Sequence, residues 1–135
     1  MKKHLLMLAL ASTCFMATQA GAMTKDEYKA GKEKIEADYK AAKAQCDALK
    51  DNAKDVCQKE AKGKEDVAKA ELEQQYKPSD AHARKVAEEK VKATYEVAKE
   101  KCDDQSGDAK AACVKQAKAD ESQGKADIKA MKKSM

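Results

Sequence analysis

Two cysteines with ten residues between them, Cys46 and Cys57 in CDALKDNAKDVC, recur 56 residues later as Cys102 and Cys113 in CDDQSGDAKAAC. Turn-forming residues sit at the midpoint of each interval, Asp51-Asn52 in the first and Gly107-Asp108 in the second. If the chain reverses there, two antiparallel helices set Cys46 opposite Cys57, Ala42 opposite Ala61 and Ile35 near Ala68. The same reflection about the second midpoint sets Cys102 opposite Cys113 and Ala98 opposite Ala117. A disulfide needs α-carbons about 5.5 to 6 Å apart, and small residues facing each other let helix axes approach at or below the usual 8 to 10 Å. Four cysteines allow three pairings. The symmetry favours the local one, Cys46 with Cys57 and Cys102 with Cys113. The expected fold class is all-α, with tandem disulfide-stapled helical hairpins. These either close into an up-down four-helix bundle or swing apart at Lys77-Pro78-Ser79.

The start of the chain bears on the oxidation state of those cysteines. Lys2, Lys3 and His4 form a basic cluster, Leu5 to Ala17 is an apolar run too short to span a bilayer, and Ala20-Gly21-Ala22 has the small-x-small form of a cleavage site. Residues 1–22 read as a signal peptide, cleaved after Ala22, and the location expected for the remainder is the periplasm. A lipobox at Ala11-Ser12-Thr13-Cys14, with Cys14 acylated, fits less well, because Thr precedes the cysteine and the apolar run would be very short. Outside the cytosol thiols are usually oxidised, so the four cysteines beyond residue 22 are expected as two disulfides. The two copies define the expected units, a first hairpin over residues 23–77 and a second over 78–135.

A conventional core cannot be built from what remains. Beyond residue 22 there is no Phe or Trp and there are ten Ile, Leu and Val side chains, in a stretch dominated by Ala, Lys and Glu. That aliphatic share lies below the roughly 20% under which disorder becomes the default. Against disorder stand the small net charge and the high helix propensity of Ala, Lys and Glu. Beyond residue 22 there are 26 basic and 24 acidic side chains with the signs mixed. Such a balance gives no field that would steer the chain to nucleic acid or anionic lipid.

Local signals place four helices. Thr24-Lys25-Asp26-Glu27 has capping-box spacing. Tyr28, Ile35, Tyr39, Ala42, Cys46 and Leu49 then recur as one narrow stripe of coiled-coil type. Asp51 and Asn52 suit a turn and a cap for a second helix over about Ala53 to Tyr76, whose apolar side is Val56, Cys57, Ala61, Val67, Ala68 and Leu72. Pro78 ends that helix. Ser79 or Asp80 caps a third, carrying Val86, Val91, Tyr95, Ala98 and Cys102, and a fourth carries Cys113, Ala117, Ile128 and Met131. Acidic residues four positions ahead of basic ones, such as Glu60 and Lys64 or Glu65 and Lys69, add about 0.2 to 0.5 kcal/mol per pair to an isolated helix.

Catalytic chemistry finds no anchor in these residues. No Cys-x-x-Cys motif is present, and Asp47 and Asp103 beside the cysteines disfavour a reactive thiolate. Zinc ligands normally pair two to four residues apart, and His82, the one histidine beyond residue 22, has no co-ligand pattern around it. There is no phosphate-binding glycine loop and no nucleophilic serine turn. No enzyme activity, cofactor or metal is therefore expected. The expected function is a non-enzymatic exported module, structural or interaction-based. Its surface would be the seam left where two hairpins pack, or Tyr28 and Tyr76 near the open ends. An unknown protein partner is left open, and neither nucleic acid nor stable membrane insertion after cleavage is expected. A metal- or redox-responsive cysteine protein and a weak binder of envelope lipid or polyanion are the alternatives.

The run Ala-Lys-x-x-Cys-Asp-x-Leu-x-x-Asn-Ala-Lys-Asp-x-Cys, Ala42 to Cys57 here, resembles a duplicated module of small Lys/Ala-rich exported proteins of proteobacteria. The second copy departs from it where Gln105 replaces Leu49 and Ala111 replaces Asp55. A looser similarity is to the phosphate-starvation-inducible exported repeat family, whose cysteines lie further apart. Both resemblances imply a role in envelope stress or adaptation, and neither implies a catalytic residue.

Overall fold

A computed structural model describes residues 22–134. The predicted signal peptide and the Cys14 lipobox lie, apart from Ala22, outside the described residues. Four helices follow in order: α1 over Lys25–Cys46, α2 over Asp51–Tyr76, α3 over Asp80–Lys101 and α4 over Gly107–Ser134, with a 3-10 turn at Cys102–Asp104 between the last two. The described residues contain no strand.

The helix starts follow the residues that satisfy free backbone donors. At α1 the Glu27 amide donates to the Thr24 hydroxyl at 3.2 Å, and the Thr24 amide donates to the Glu27 carboxylate at 2.7 Å, closing the capping box. At α3 the Ser79 hydroxyl accepts from the His82 amide at 3.1 Å. The start of α2 differs from expectation. Its N-cap is Lys50, with no side-chain cap, and the helix begins at Asp51 itself in the left-handed region at φ 52°. Asn52 does not cap α2; its side-chain amide donates to the Glu100 carbonyl of α3 at 3.0 Å, tying the first turn to the neighbouring hairpin. Because α1 ends at Cys46, Leu49 leaves the expected stripe and lies exposed in the turn.

Consecutive helices pack against one another: α1 on α2, α2 on α3, α3 on α4. Gly31 of α1 lies under Leu72 of α2, Gly63 of α2 under Ala93 of α3, and Gly124 of α4 under Val91 of α3. A β-carbon added at these glycines would come within 2.7, 2.8 and 2.6 Å of the facing side chain. The helices thus touch almost backbone to side chain. At 3.6 residues per turn, Leu72 and Gly63 lie on opposite sides of α2, and Val91 and Ala93 on opposite sides of α3. The four helices therefore form a single row in up-down order, one helix thick. The hairpins are neither swung apart at Pro78 nor folded round to bring α1 against α4, which share no packed interface.

A single row has two open faces and little interior. Among the described residues the buried apolar set is Cys46, Ala61, Ala70, Leu72, Cys102, Ala117 and Ile128, and the largest fully buried side chains are the cysteines Cys46 and Cys102. The hydrophobic core of this fold is largely alanine and sulfur.

Candidate functional site

The disulfides define what the site is mounted on. Cys46 is joined to Cys57 and Cys102 to Cys113, with α-carbons 5.5 and 5.6 Å apart. Each turn also carries an ion pair at equivalent positions, Lys54 to Asp47 at 3.1 Å and Lys110 to Asp103 at 2.8 Å. The Lys110 hydrogen bond and charge hold the Asp103 carboxyl below its ordinary value. The aspartates beside the cysteines thus brace the turns.

The open end of the first hairpin is closed by aromatics. Tyr28 and Tyr76 stack with ring centroids 4.4 Å apart, Lys32 and Lys77 lie 5.7 and 5.4 Å from the respective rings, and the Tyr28 hydroxyl donates to Glu73. That bond, more than the partial burial of the ring, pushes the Tyr28 hydroxyl above its ordinary pKa. The two tyrosines expected as a free surface are therefore engaged with each other. The second hairpin has Arg84 and Lys132 at the equivalent positions and no such clasp.

The two faces of the row differ in chemistry. One face is ionic. Glu65 is buried on α2 and receives Lys69 at 2.6 Å and Lys62 at 3.1 Å, while Lys62 also reaches Asp66 at 2.7 Å and Lys85 reaches Glu89 at 2.6 Å. Burial works to raise the Glu65 carboxyl, and the hydrogen bonds from Lys69 and Lys62 outweigh it and hold the pKa below the ordinary value. His82 sits beside this face, its Nδ1 2.6 Å from the Lys77 carbonyl.

The other face carries the candidate site, a cleft of about 780 Å³ running between α2 and α3 where the hairpins meet. Its floor is Gly63, Val67, Ala68, Ala93, Val97 and Ala98. Salt bridges cross it at both ends, Glu60 to Lys101 at 3.2 Å and Glu71 to Lys90 at 2.7 Å. The α2 partner is the acid in both bridges and the α3 partner the base. Smaller grooves flank the cleft, one holding Ile35 and Tyr39 between α1 and α2, the other holding Tyr95 and Ala117 between α3 and α4. Tyr39 and Tyr95 thus fill equivalent seams and do not meet. The sequence implies a seam between hairpins without marking its residues. The available signal was a second stripe on α2, Val56, Gly63, Val67 and Ala70, which a single apolar side for that helix merged with the first.

The cleft can offer van der Waals contact and directed ion pairs. Among the described residues no group of three or more His, Cys, Asp or Glu side chains is placed to share a metal ion, and no helix is long and apolar enough to cross a membrane. Compared with family models, curated proteins and solved structures, the chain matches none.

Proposed function

We propose that this protein is a non-enzymatic interaction module of the periplasm, associated with envelope stress, whose working surface is the cleft between its two hairpins. The observation that carries this reading is the cleft's construction. An open apolar floor of small residues and valines lies between charged rims, on a scaffold whose turns are cross-linked. Small residues leave room for an incoming side chain, and the rims orient whatever binds. The disulfides are compatible with export.

The test is site-specific photocross-linking in cells that export the protein. A photoreactive residue at Thr94, at the cleft, is expected to give adducts that the same residue at Lys92, on the ionic face, does not. Equal adducts from both positions, or none from Thr94, would overturn the proposal.

A further inference from the structure

The cleft's charges have a symmetry that names an occupant. Because α2 and α3 run antiparallel, the two salt bridges fix which residues share a height along the cleft: Glu60 with Lys101, Val67 with Thr94, and Glu71 with Lys90. Consider a second copy laid face to face on the first, related by a two-fold axis along the cleft. Each α2 then lies over the other copy's α3 at the same height. Glu60 meets Lys101 and Glu71 meets Lys90 across the interface at both ends, while Val67 meets Thr94 in the middle. Turn the two-fold axis across the helices and α2 lies over α2. Glu60 then opposes Glu71 and Lys90 opposes Lys101. Like charges in contact disfavour that arrangement.

We infer that the cleft takes a second copy of this chain in the first of these orientations, giving a parallel two-layer dimer of eight helices. The inference rests on the cleft being the working surface. α2 and α3 present a patch of roughly 33 by 20 Å, about 660 Å² before surface relief is counted, which falls at the low end of the roughly 600 to 1,000 Å² per partner of standard interfaces. Stacking gives the row a second layer, and with it the two-layer interior that domains ordinarily have. The side chains it covers include Val67 and Val97, which in a single chain border an open cleft.

Sedimentation of the oxidised protein from micromolar to millimolar concentration is expected to show a two-chain species. Val67→Asp with Val97→Asp should weaken association at least tenfold. Charge reversal tests whether the two charged rims meet across the interface; the orientation is read from a Thr94 adduct, which falls on Val67 in the inferred arrangement and on Val97 with the axis turned across the helices. Lys90→Glu with Lys101→Glu makes every bridging position acidic, and Glu60→Lys with Glu71→Lys makes every one basic. Each variant alone should sediment as one chain, and an equimolar mixture should recover a dimer containing one of each. Each variant's helical circular dichroism is compared with that of the unaltered chain. A photoreactive residue at Thr94 in the otherwise unaltered protein supplies a readout independent of variant folding, and should mark the peptide around Val67 of another copy. A single-chain species throughout, charge-reversed variants that self-associate as tightly as they mix, or chain-to-chain adducts absent from that peptide would each overturn the inference. If the chain stays single while Thr94 still forms adducts with other proteins, the second copy is excluded and the cleft's role as a contact surface stands. If both signals vanish, both proposals fall.

Discussion

Two residues at the same place in the repeat show how one backbone demand is met differently. Asp51 and Gly107 both adopt the left-handed conformation, at φ 52° and 57°. Glycine does so freely, while a residue with a β-carbon incurs about 1 to 2 kcal/mol. Asp51→Gly is therefore expected to stabilise the first hairpin. Relief of that strain exceeds the roughly 0.4 to 1 kcal/mol that extra freedom in the unfolded chain costs, so the net gain is about 0.5 to 1 kcal/mol by thermal or urea melting. Gly107→Ala should lose a similar amount. A second residue-scale prediction concerns Glu65, whose folded pKa lies below its ordinary 4.5. A depressed carboxyl pKa stabilises the fold above the unfolded value, and the contribution is lost as pH falls through the folded one. The stability of the unaltered protein should thus exceed that of Glu65→Gln at neutral pH, and the gap should close on acidification below about pH 4.5. Equal gaps at both ends of a pH series of urea melts would show that the two lysines do not favour the carboxylate.

At the level of helices and their pairings, much was legible in the sequence. The capping box at Thr24, the stop at Pro78 and a cap at Ser79 or Asp80, of which the structure uses Ser79, could be read because each depends on local geometry within four residues. The hairpin pairing could be read because reflection about a turn fixes partners; the same reflection that joins Cys46 to Cys57 also brings Gly31 to Leu72 and, in the second copy, Val91 to Gly124. What could not be read is where side chains turn when two partners compete. Glu60 was expected on Lys64 of its own helix and reaches Lys101 instead, and Asn52 leaves its expected cap for Glu100. The glycine contacts give an ordered prediction. Gly31→Ala meets the far end of Leu72, which can rotate, so overpacking should roughly cancel the helix-propensity gain of about 1 kcal/mol. Gly63→Ala meets the Ala93 methyl, which cannot rotate away, and should destabilise by about 1 to 2 kcal/mol net in the same melts. The hairpins should also differ in their need for sulfur. Closing a loop of about a dozen residues contributes on the order of 3 kcal/mol. The first hairpin retains the Tyr28 and Tyr76 clasp when its disulfide is removed, and the second has no such pair. Replacing Cys102 and Cys113 by Ser should therefore cost more amide-exchange protection in α4 than replacing Cys46 and Cys57 costs in α1.

For the whole molecule, the decisive property is that the row does not close. Whether two hairpins lie side by side or fold into a square depends on which side of α2 receives α3, and that was hidden because glycine and alanine, which make the contact at Gly63 and Ala93, carry little hydropathy signal. Small-angle scattering of the Val67→Asp, Val97→Asp variant, which keeps the cleft uncovered, should give a flat particle. Its thickness should be about one helix diameter, 10 to 12 Å, with α1 and α4 separated by three interaxial spacings, roughly 24 to 30 Å. A compact particle of equal cross-sectional dimensions would contradict the open row. An arrangement in which every helix needs only its immediate predecessor and successor has no geometric limit on its length, as in solenoid proteins. A third 56-residue unit could join at the free edge of α4 without displacing anything already in place, so a chain of this kind is free to lengthen by duplicating genetic segments, each newcomer arriving with its own cross-link.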